Sequence, residues 1–398
     1  MKIDYPFFNK SSIKKVKQIL NSGRVNYWTG NECRNFEKEF SNYHGVKYSL
    51  AVSNGSVALE LGLKSLGLKN NDQVIVTPRS FIISASCVLN LGLKPVFADV
   101  DDNGNLSIEG IKKVYNKNIK AIVVVHLNGL SCDLDPILKF TKKNKLFLIE
   151  DCAQAHGAIY KGKKVGSFGN ISTWSFCQDK IISTGGEGGM ITTNNKKLFL
   201  KIWSMKEHGK NYISVFFKKH RTGYKWLHDH LGSNYRMTEM QAAIGRVQLR
   251  LLDKMVKKRN FLANLYLNGL KDYYQKYEII KKPDFRCETC PLKKNEKKCN
   301  KCAHSFYRLN LFINKKNINQ IKLIEQFNKN KIECGIGSCP EIYREKIFKK
   351  LKLHPKKRLQ NAKLLGKTSI MFPINPYKSL IKIKPEINLI KKILDNYI

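Results

Sequence analysis

Between residues 45 and 195, short β-branched runs alternate with helical stretches, and this alternation constrains the fold more than any other feature of the chain. The strand candidates are Tyr48–Val52, Gln73–Val76, Pro95–Ala98, Lys120–Val125, Leu146–Ile149, Ile171–Phe176 and Gly189–Thr193. Helix-like segments such as Ser56–Leu66, Ser84–Leu91 and Leu134–Lys143 lie between them. Ala121-Ile-Val-Val-Val125 is apolar at every position, as a central parallel strand covered by helices on both faces must be. The pattern predicts an α/β fold with a mostly parallel central sheet flanked by helices and joined by right-handed crossovers.

Near Thr238 the texture changes. Thr238-Glu-Met-Gln241 has the spacing of a helix capping box. A helical pattern follows through Ala242, Ile244, Val247, Leu251 and Leu252 to about residue 270, long enough to link two domains. We therefore expect a large domain over 1–250 and a smaller C-terminal α+β domain over 251–398. At 42% hydrophobic residues the chain can bury a sizeable core. It holds no run of about eighteen apolar residues, so no transmembrane helix is expected. Its start lacks the apolar stretch of a secretory signal. Eleven cysteines, scattered except for one cluster, point to a reducing, cytoplasmic setting.

The formal charge is +41, from 72 Lys+Arg against 31 Asp+Glu. Such an excess raises nucleic acid first. Yet 60 of the 72 basic residues are lysine, and arginine is the residue that reads phosphates and bases with a bidentate fork. Aromatic residues do not interleave with arginine as in a stacking platform. Specific nucleic-acid binding is not expected; non-specific retention at low salt is.

Three motifs carry chemistry. Ser53-Asn-Gly-Ser56 turns from a strand into a helix N-terminus, whose free amides and dipole suit phosphate. An ordinary strand–helix turn with a serine cap has the same look. Glu150-Asp151-Cys-Ala-Gln154-Ala-His156 follows the apolar strand Leu146–Ile149, where an acid can hold a proton on a ring nitrogen, bind a metal or simply cap a helix. Trp174-Ser-Phe-Cys-Gln-Asp-Lys180 ends a strand and runs into Gly185-Gly-Glu-Gly-Gly189. A lysine desolvated in such a cleft can lose its proton and form a Schiff base. Phosphate turn, strand-end aspartate and glycine-flanked lysine, in that order, are the three anchors a pyridoxal phosphate site needs.

The chain resembles the DegT/DnrJ/StrS family of pyridoxal-phosphate-dependent aminotransferases acting on nucleotide sugars. The resemblance spans nearly the whole chain. It is carried by Tyr27-Trp-Thr-Gly30, Ser53-Asn-Gly-Ser-Val-Ala-Leu59, Pro95-Val-Phe-Ala-Asp99, Val125-His-Leu-Asn-Gly129 and Glu150-Asp-Cys-Ala-Gln-Ala-His-Gly157. It continues in Gly166-Ser-Phe-Gly169, the Lys180 block and Gly232-Ser-Asn-Tyr-Arg-Met-Thr-Glu-Met-Gln-Ala-Ala243. It implies a fold-type-I architecture in which Lys180 holds the cofactor covalently and Asp151 pairs with its pyridine nitrogen. Gln154 would lie near the ring and its phenolic oxygen, and Gly55, Ser56 and Ser175 would cradle the phosphate. Phe81, after Thr77-Pro-Arg-Ser80, stands where the family often stacks an aromatic ring. Asn234 would reach the phosphate of a neighbouring subunit, making a homodimer with shared sites. The implied reaction takes an amine from an amino acid, usually L-glutamate, to a nucleotide-linked keto-deoxy sugar. Relatives with histidine in place of the lysine are sugar dehydratases; Lys180 favours transamination. A regulatory member without turnover is the other alternative.

One feature departs from that pattern. Cys287-x2-Cys290-x8-Cys299-x2-Cys302 is a double knuckle with the spacing of a tetrahedral four-thiolate zinc site. An iron–sulfur cluster or free thiols are the alternatives, and His304 could replace one cysteine. Its distance in sequence from Lys180 makes it a loop staple and not a catalytic metal. Cys152 and Cys177 are expected to be small buried hydrophobes. Cys334 and Cys339 flank Gly335-Ile-Gly337 without an assignable role. His208, His228 and His230 are candidates for the cleft edge.

Overall fold

The computed structural model describes residues 5–283 and 302–398. In chain order the strands are β1 Tyr48–Val52, β2 Gln73–Val76, β3 Lys94–Phe97, β4 Ile119–Val125, β5 Phe147–Asp151, β6 Ile159–Tyr160, β7 Lys163–Lys164, β8 Ile171–Ser175, β9 Gly189–Thr193, β10 Ile280–Lys281, β11 Arg308–Ile313 and β12 Ser369–Pro373. Seven of them form one sheet in the order β1-β9-β8-β5-β4-β2-β3. Only β9 runs antiparallel to its neighbours; the other pairs are parallel. Helices cover both faces, so the expected mostly parallel α/β sheet is what the chain builds.

The strand Ala121–Val125 shows why. Ile122 and Val124 enter one hydrophobic core, with Ile75, Leu148 and Trp174. Ala121 and Val123 enter the opposite core, with Val74, Val76, Ile149 and Phe348. Side chains alternate across a strand, and only a sheet covered on both faces can bury all of them. Each such Val or Ile contributes on the order of 2 kcal/mol.

One expectation is corrected at its edge. The strand predicted to end at Ile149 continues through Glu150 and Asp151, pairing Val125 with Asp151 and Asp151 with Thr173. The two acids extend the strand because partners inside the protein satisfy Glu150, as described below.

The helix Glu239–Gly269 spans 31 residues, about 46 Å at 1.5 Å per residue. Its capping box is formed: Gln241 N–H donates to Thr238 Oγ1 (3.3 Å) and Thr238 N–H to Gln241 Oε1 (2.9 Å). Leu249, Leu252 and Met255 pack on the first core. Leu262, Ala263, Tyr266 and Leu267 pack on a second core under the antiparallel sheet β10-β11-β12. Between them the buried Arg259 donates to the carbonyls of Phe306, Tyr307 and Ile374. No helix among the described residues is long and apolar enough to cross a membrane.

Four histidines are buried among the described residues: His44, His126, His156 and His304. Burial pushes His44 and His304 down to about 3 and His156 well below its ordinary value. These rings stay neutral in the folded chain while the unfolded chain takes up protons below about pH 6.5. Their contribution is therefore intact above that pH and is lost as pH falls toward the folded values. Burial pushes the Glu37 and Asp151 carboxyls up, so they act in the opposing sense. We expect a net loss of about 2 kcal/mol between pH 7 and 5, read from urea unfolding at the two values.

Candidate active site

The carboxyl ends of β5 and β8 lie side by side, and the groups singled out in the sequence gather there. Glu150 and Asp151 are successive strand residues and so point to opposite faces. Glu150 points inward, where it accepts from the N–H groups of Gly166 (2.8 Å), Phe168 (2.9 Å) and Gly169 (2.7 Å) and from Ser172 Oγ (3.1 Å). His126 Nε2 is 3.1 Å away, and His126 Nδ1 accepts from Cys132 N–H (3.1 Å), so Nε2 carries the proton and donates to Glu150. Burial alone would raise this carboxyl; the His126 bond and the backbone amides overrule it and hold it below the usual value. With all these donors in place, the buried His126–Glu150–Cys152 group is a finished hydrogen-bond network and not a vacant metal site.

Asp151 has far less. The Ala153 N–H (3.1 Å) and the Ser84 hydroxyl (3.2 Å) donate to it, and it is 6% exposed. Burial pushes its carboxyl up despite those bonds and the field of Lys180. A buried carboxylate lacking a contacting cation is what a protonated ring nitrogen would pair with. Ser84 belongs to the helix Ile83–Asn90, and Phe81 lies one turn before it. Phe81 is 68% exposed. Gln154 is buried, and its Oε1 accepts from Asn128 N–H (2.8 Å).

The phosphate turn also forms. Asn54 caps the helix Gly55–Ser65 by accepting from Val57 N–H (2.9 Å). The amides of Gly55 and Ser56, in the first turn, have no intrahelical partner. A Cβ on Gly55 would lie 2.6 Å from the Cβ of Ser175, so only glycine lets the helix start approach the end of β8. Gly55, Ser56 and Ser175 thereby form one concavity.

Lys180 sits in the loop joining β8 to β9. That loop folds back on itself: Phe176 N–H donates to Gly188 O (2.8 Å) and Gln178 N–H to Gly186 O (2.9 Å). Gly185 and Gly186 take positive φ of 97° and 131°, a region open to glycine. The Tyr5 hydroxyl bonds the Lys180 and Ile181 carbonyls, strapping the loop from the N-terminal side. Lys180 Nζ lies 3.3 Å from Asp179 Oδ1 and 3.5 Å from the Tyr307 hydroxyl. Burial pulls this lysine down, but Tyr307 and Asp179 more than offset it and hold the ammonium above its ordinary value. The sequence expectation was a lysine deprotonated by desolvation; the contacts reverse that sign.

A cavity of about 1100 Å³ opens beside this group, lined by Tyr5, Asp179, Tyr307, Arg308, Tyr377 and Lys378 among others. Lys382 faces it too, but so do Glu333 and Glu386. The cavity is thus mixed in charge, and the +41 excess is not focused there.

Asn234 is exposed; its Oδ1 accepts only from Arg236 N–H (3.3 Å), so it does not join the Lys180 group within one chain. His208, His228 and His230 are all exposed. Cys152 is fully buried, as expected, while Cys177 is half-buried. Cys287, Cys290 and Cys299 lie outside the described residues. Cys302 is described, and its Sγ accepts from Lys161 N–H (3.3 Å). Sequence reasoning missed Ser84, Asp179 and Tyr307. Asp179 adjoins Lys180, which was a usable signal; Ser84 and Tyr307 come from distant segments with no spacing to betray them.

Comparison with known proteins agrees with this geometry. The model of the DegT/DnrJ/EryC1/StrS aminotransferase family matches residues 7–383. The chain is 38% identical over 280 residues to a GDP-perosamine synthase of Escherichia coli O157:H7, covering 69% of this chain and 74% of that one. It is 36% identical over 273 residues to a dTDP-3-amino-3,6-dideoxy-alpha-D-galactopyranose transaminase of Aneurinibacillus thermoaerophilus, covering 68% and 72%. The solved structure of an aminotransferase from Psychrobacter cryohalolentis superposes with a TM-score of 0.93 at 42% identity, covering 99% of each chain.

Gly55→Ala should press the new methyl against Ser175 and move the helix start outward. We expect pyridoxal phosphate to bind at least tenfold more weakly, about 1.4 kcal/mol, measured by absorbance titration. Inorganic phosphate should lose its competition against the cofactor in parallel.

Proposed function

Because the chain belongs to the DegT/DnrJ/EryC1/StrS aminotransferase family, we propose that it transfers an amine from an amino acid, L-glutamate in the first instance, to a nucleotide-linked keto-deoxy sugar destined for a polysaccharide or glycan. The observation that carries this reading is that Asp151 and Ser175 end neighbouring parallel strands, Gly55 packs against Ser175, and Lys180 follows on the loop after β8. The curated relatives act on GDP- and dTDP-linked sugars, so the general reaction has their support and the base and sugar stay part of the proposal.

Pyridoxal phosphate, when bound, supplies an electron sink for the amino-acid Cα. The Asp151 carboxylate would keep the ring nitrogen protonated, the Gly55 and Ser56 amides and the Ser175 hydroxyl would hold the phosphate, Phe81 would cover the ring and Gln154 would lie near the phenolic oxygen. Lys180 would hold the cofactor covalently and, as a free amine, would serve as the base for the amino-acid Cα proton. Donor and acceptor would use the same cavity in turn.

The reading includes a homodimer. Asn234 stands at the end of an exposed stretch bearing Tyr224, Trp226 and Leu231, which are 76%, 89% and 90% exposed. Apolar surface of that kind is ordinarily covered by a partner, and a second copy would bring Asn234 to the neighbouring phosphate concavity. It also includes a cytoplasmic location, supported by seven described cysteines, Cys33, Cys87, Cys132, Cys152, Cys177, Cys334 and Cys339, that form no disulfide.

Borohydride should fix the cofactor to the wild-type chain and not to Lys180→Ala, and Lys180→Ala should lose at least a thousandfold in amine transfer. A wild-type chain that binds no pyridoxal phosphate would defeat the proposal. Mass spectrometry of a panel of nucleotide keto sugars with glutamate identifies the acceptor.

The proposal extends to a structural zinc on Cys287, Cys290, Cys299 and Cys302, resting on their spacing. The Lys161 amide on Cys302 Sγ supports it, since such a bond favours thiolate over thiol. Metal analysis of protein purified without added zinc should give about one zinc per chain; none, with four freely reactive thiols, would remove the site.

A further inference from the structure

Lys180 lies behind a cavity wall that Asp179, Tyr307 and Arg308 line. Asp179 is shared among three partners: Lys180 Nζ (3.3 Å to Oδ1), the Tyr307 hydroxyl, which donates to Oδ2, and Arg308 Nη2 (3.7 Å from Oδ2). Tyr307 also presents its ring to Lys180 Nζ, 5.2 Å from the centroid, and its hydroxyl at 3.5 Å. The arrangement is imposed from two sides. Asp179 and Lys180 come from the loop after β8, whereas Tyr307 and Arg308 come from the start of β11, where Arg259 bonds the Tyr307 carbonyl. Nothing in the chemistry assigned above employs Asp179 or Tyr307.

We infer that Asp179 and Tyr307 are positioning residues that hold Lys180 as an ammonium in the cofactor-free chain and so set the pH at which its amine becomes available to an aldehyde. This rests on Lys180 being the cofactor lysine. The ammonium must first give up one proton; the neutral amine then adds to the aldehyde carbon, and its two hydrogens leave with the aldehyde oxygen as water. Asp179 and the Tyr307 hydroxyl, between Lys180 and the open cavity, are placed to carry the released proton outward. Burial alone would raise the Asp179 carboxyl, but Lys180 first, then the Tyr307 hydroxyl, with Arg308 adding least, hold it below its usual value.

The other titratable groups around Lys180 do not supply the same control. Asp151 feels its charge from β5 but is not bonded to it. His156, below the loop, is held neutral by burial, with Lys180 among the groups that disfavour its charge. Cys177 is pushed up by burial and by Glu187.

The test is the ionisation of Lys180 in full-length, cofactor-free protein. Brief acetic anhydride labelling across pH 6–11, with peptide mass spectrometry, gives its labelling midpoint, and exposed lysines serve as internal standards. Asp179→Asn should lower the midpoint by about one pH unit, a tenfold larger free-amine fraction at pH 8. Tyr307→Phe should lower it in the same direction, and Asp179→Glu should restore the wild-type value. The rate of pyridoxal phosphate loading at pH 8 should rise by the same factors. An unchanged Lys180 midpoint in both Asp179→Asn and Tyr307→Phe would overturn the inference. So would a shift shared by the exposed lysines, which reports altered packing. Should Asp179→Asn fail to fold, Tyr307→Phe decides alone. Wild-type protein that takes up no cofactor defeats the proposed function instead, and leaves the labelling result standing.

Discussion

The carboxylate of Glu150 holds the centre of this protein together without facing the cavity. It gathers three backbone amides, a serine hydroxyl and a histidine N–H into one point under the sheet. Those bonds tie the segment Gly166–Ser172 to the end of β5 and keep the strand paired to its last residue. Because strand residues alternate in direction, fixing Glu150 inward fixes Asp151 outward. Ser84, the Lys180 loop and the Gly55 helix start are then arranged around a carboxylate whose position is settled by its neighbour.

The sequence was most legible where burial on two faces leaves a simple signature. The run Ala121–Val125 announced a covered central strand, and the capping box at Thr238 announced the long helix. Strand ends were less legible. Glu150 and Asp151 look like a turn because acids are poor strand formers, and only the amides waiting at Gly166, Phe168 and Gly169 explain their place in β5. Motif order gave the candidate site: Asp151 and Ser175 end neighbouring strands and Gly55 packs on Ser175, while Lys180 turns to Asp179 and Tyr307. Tyr307 was not legible, because it enters from a segment more than a hundred residues away that no local pattern links to Lys180. The four-cysteine loop was read from spacing alone.

Electrostatics separates into two scales. The +41 charge belongs to a lysine-rich surface, while the cavity mixes Arg308, Lys378 and Lys382 with Asp179, Glu333 and Glu386. Long-range attraction of an anionic substrate would be non-specific and weakened by salt. The ionisation of Lys180 is by contrast a short-range matter of one carboxylate, one phenol and partial burial.

The helix Glu239–Gly269 has a mechanical consequence. Its first half is embedded in one core and its second half in the other, and Arg259 pins the seam through three carbonyls, one of them Tyr307's own. Swinging the two cores apart would bend an uninterrupted helix and break those bonds together. The cavity wall contributed by β11 is therefore part of a rigid frame. Widening the cavity on that side would cost those bonds, which leaves the Tyr5–Phe8 strap as the lining segment outside that frame.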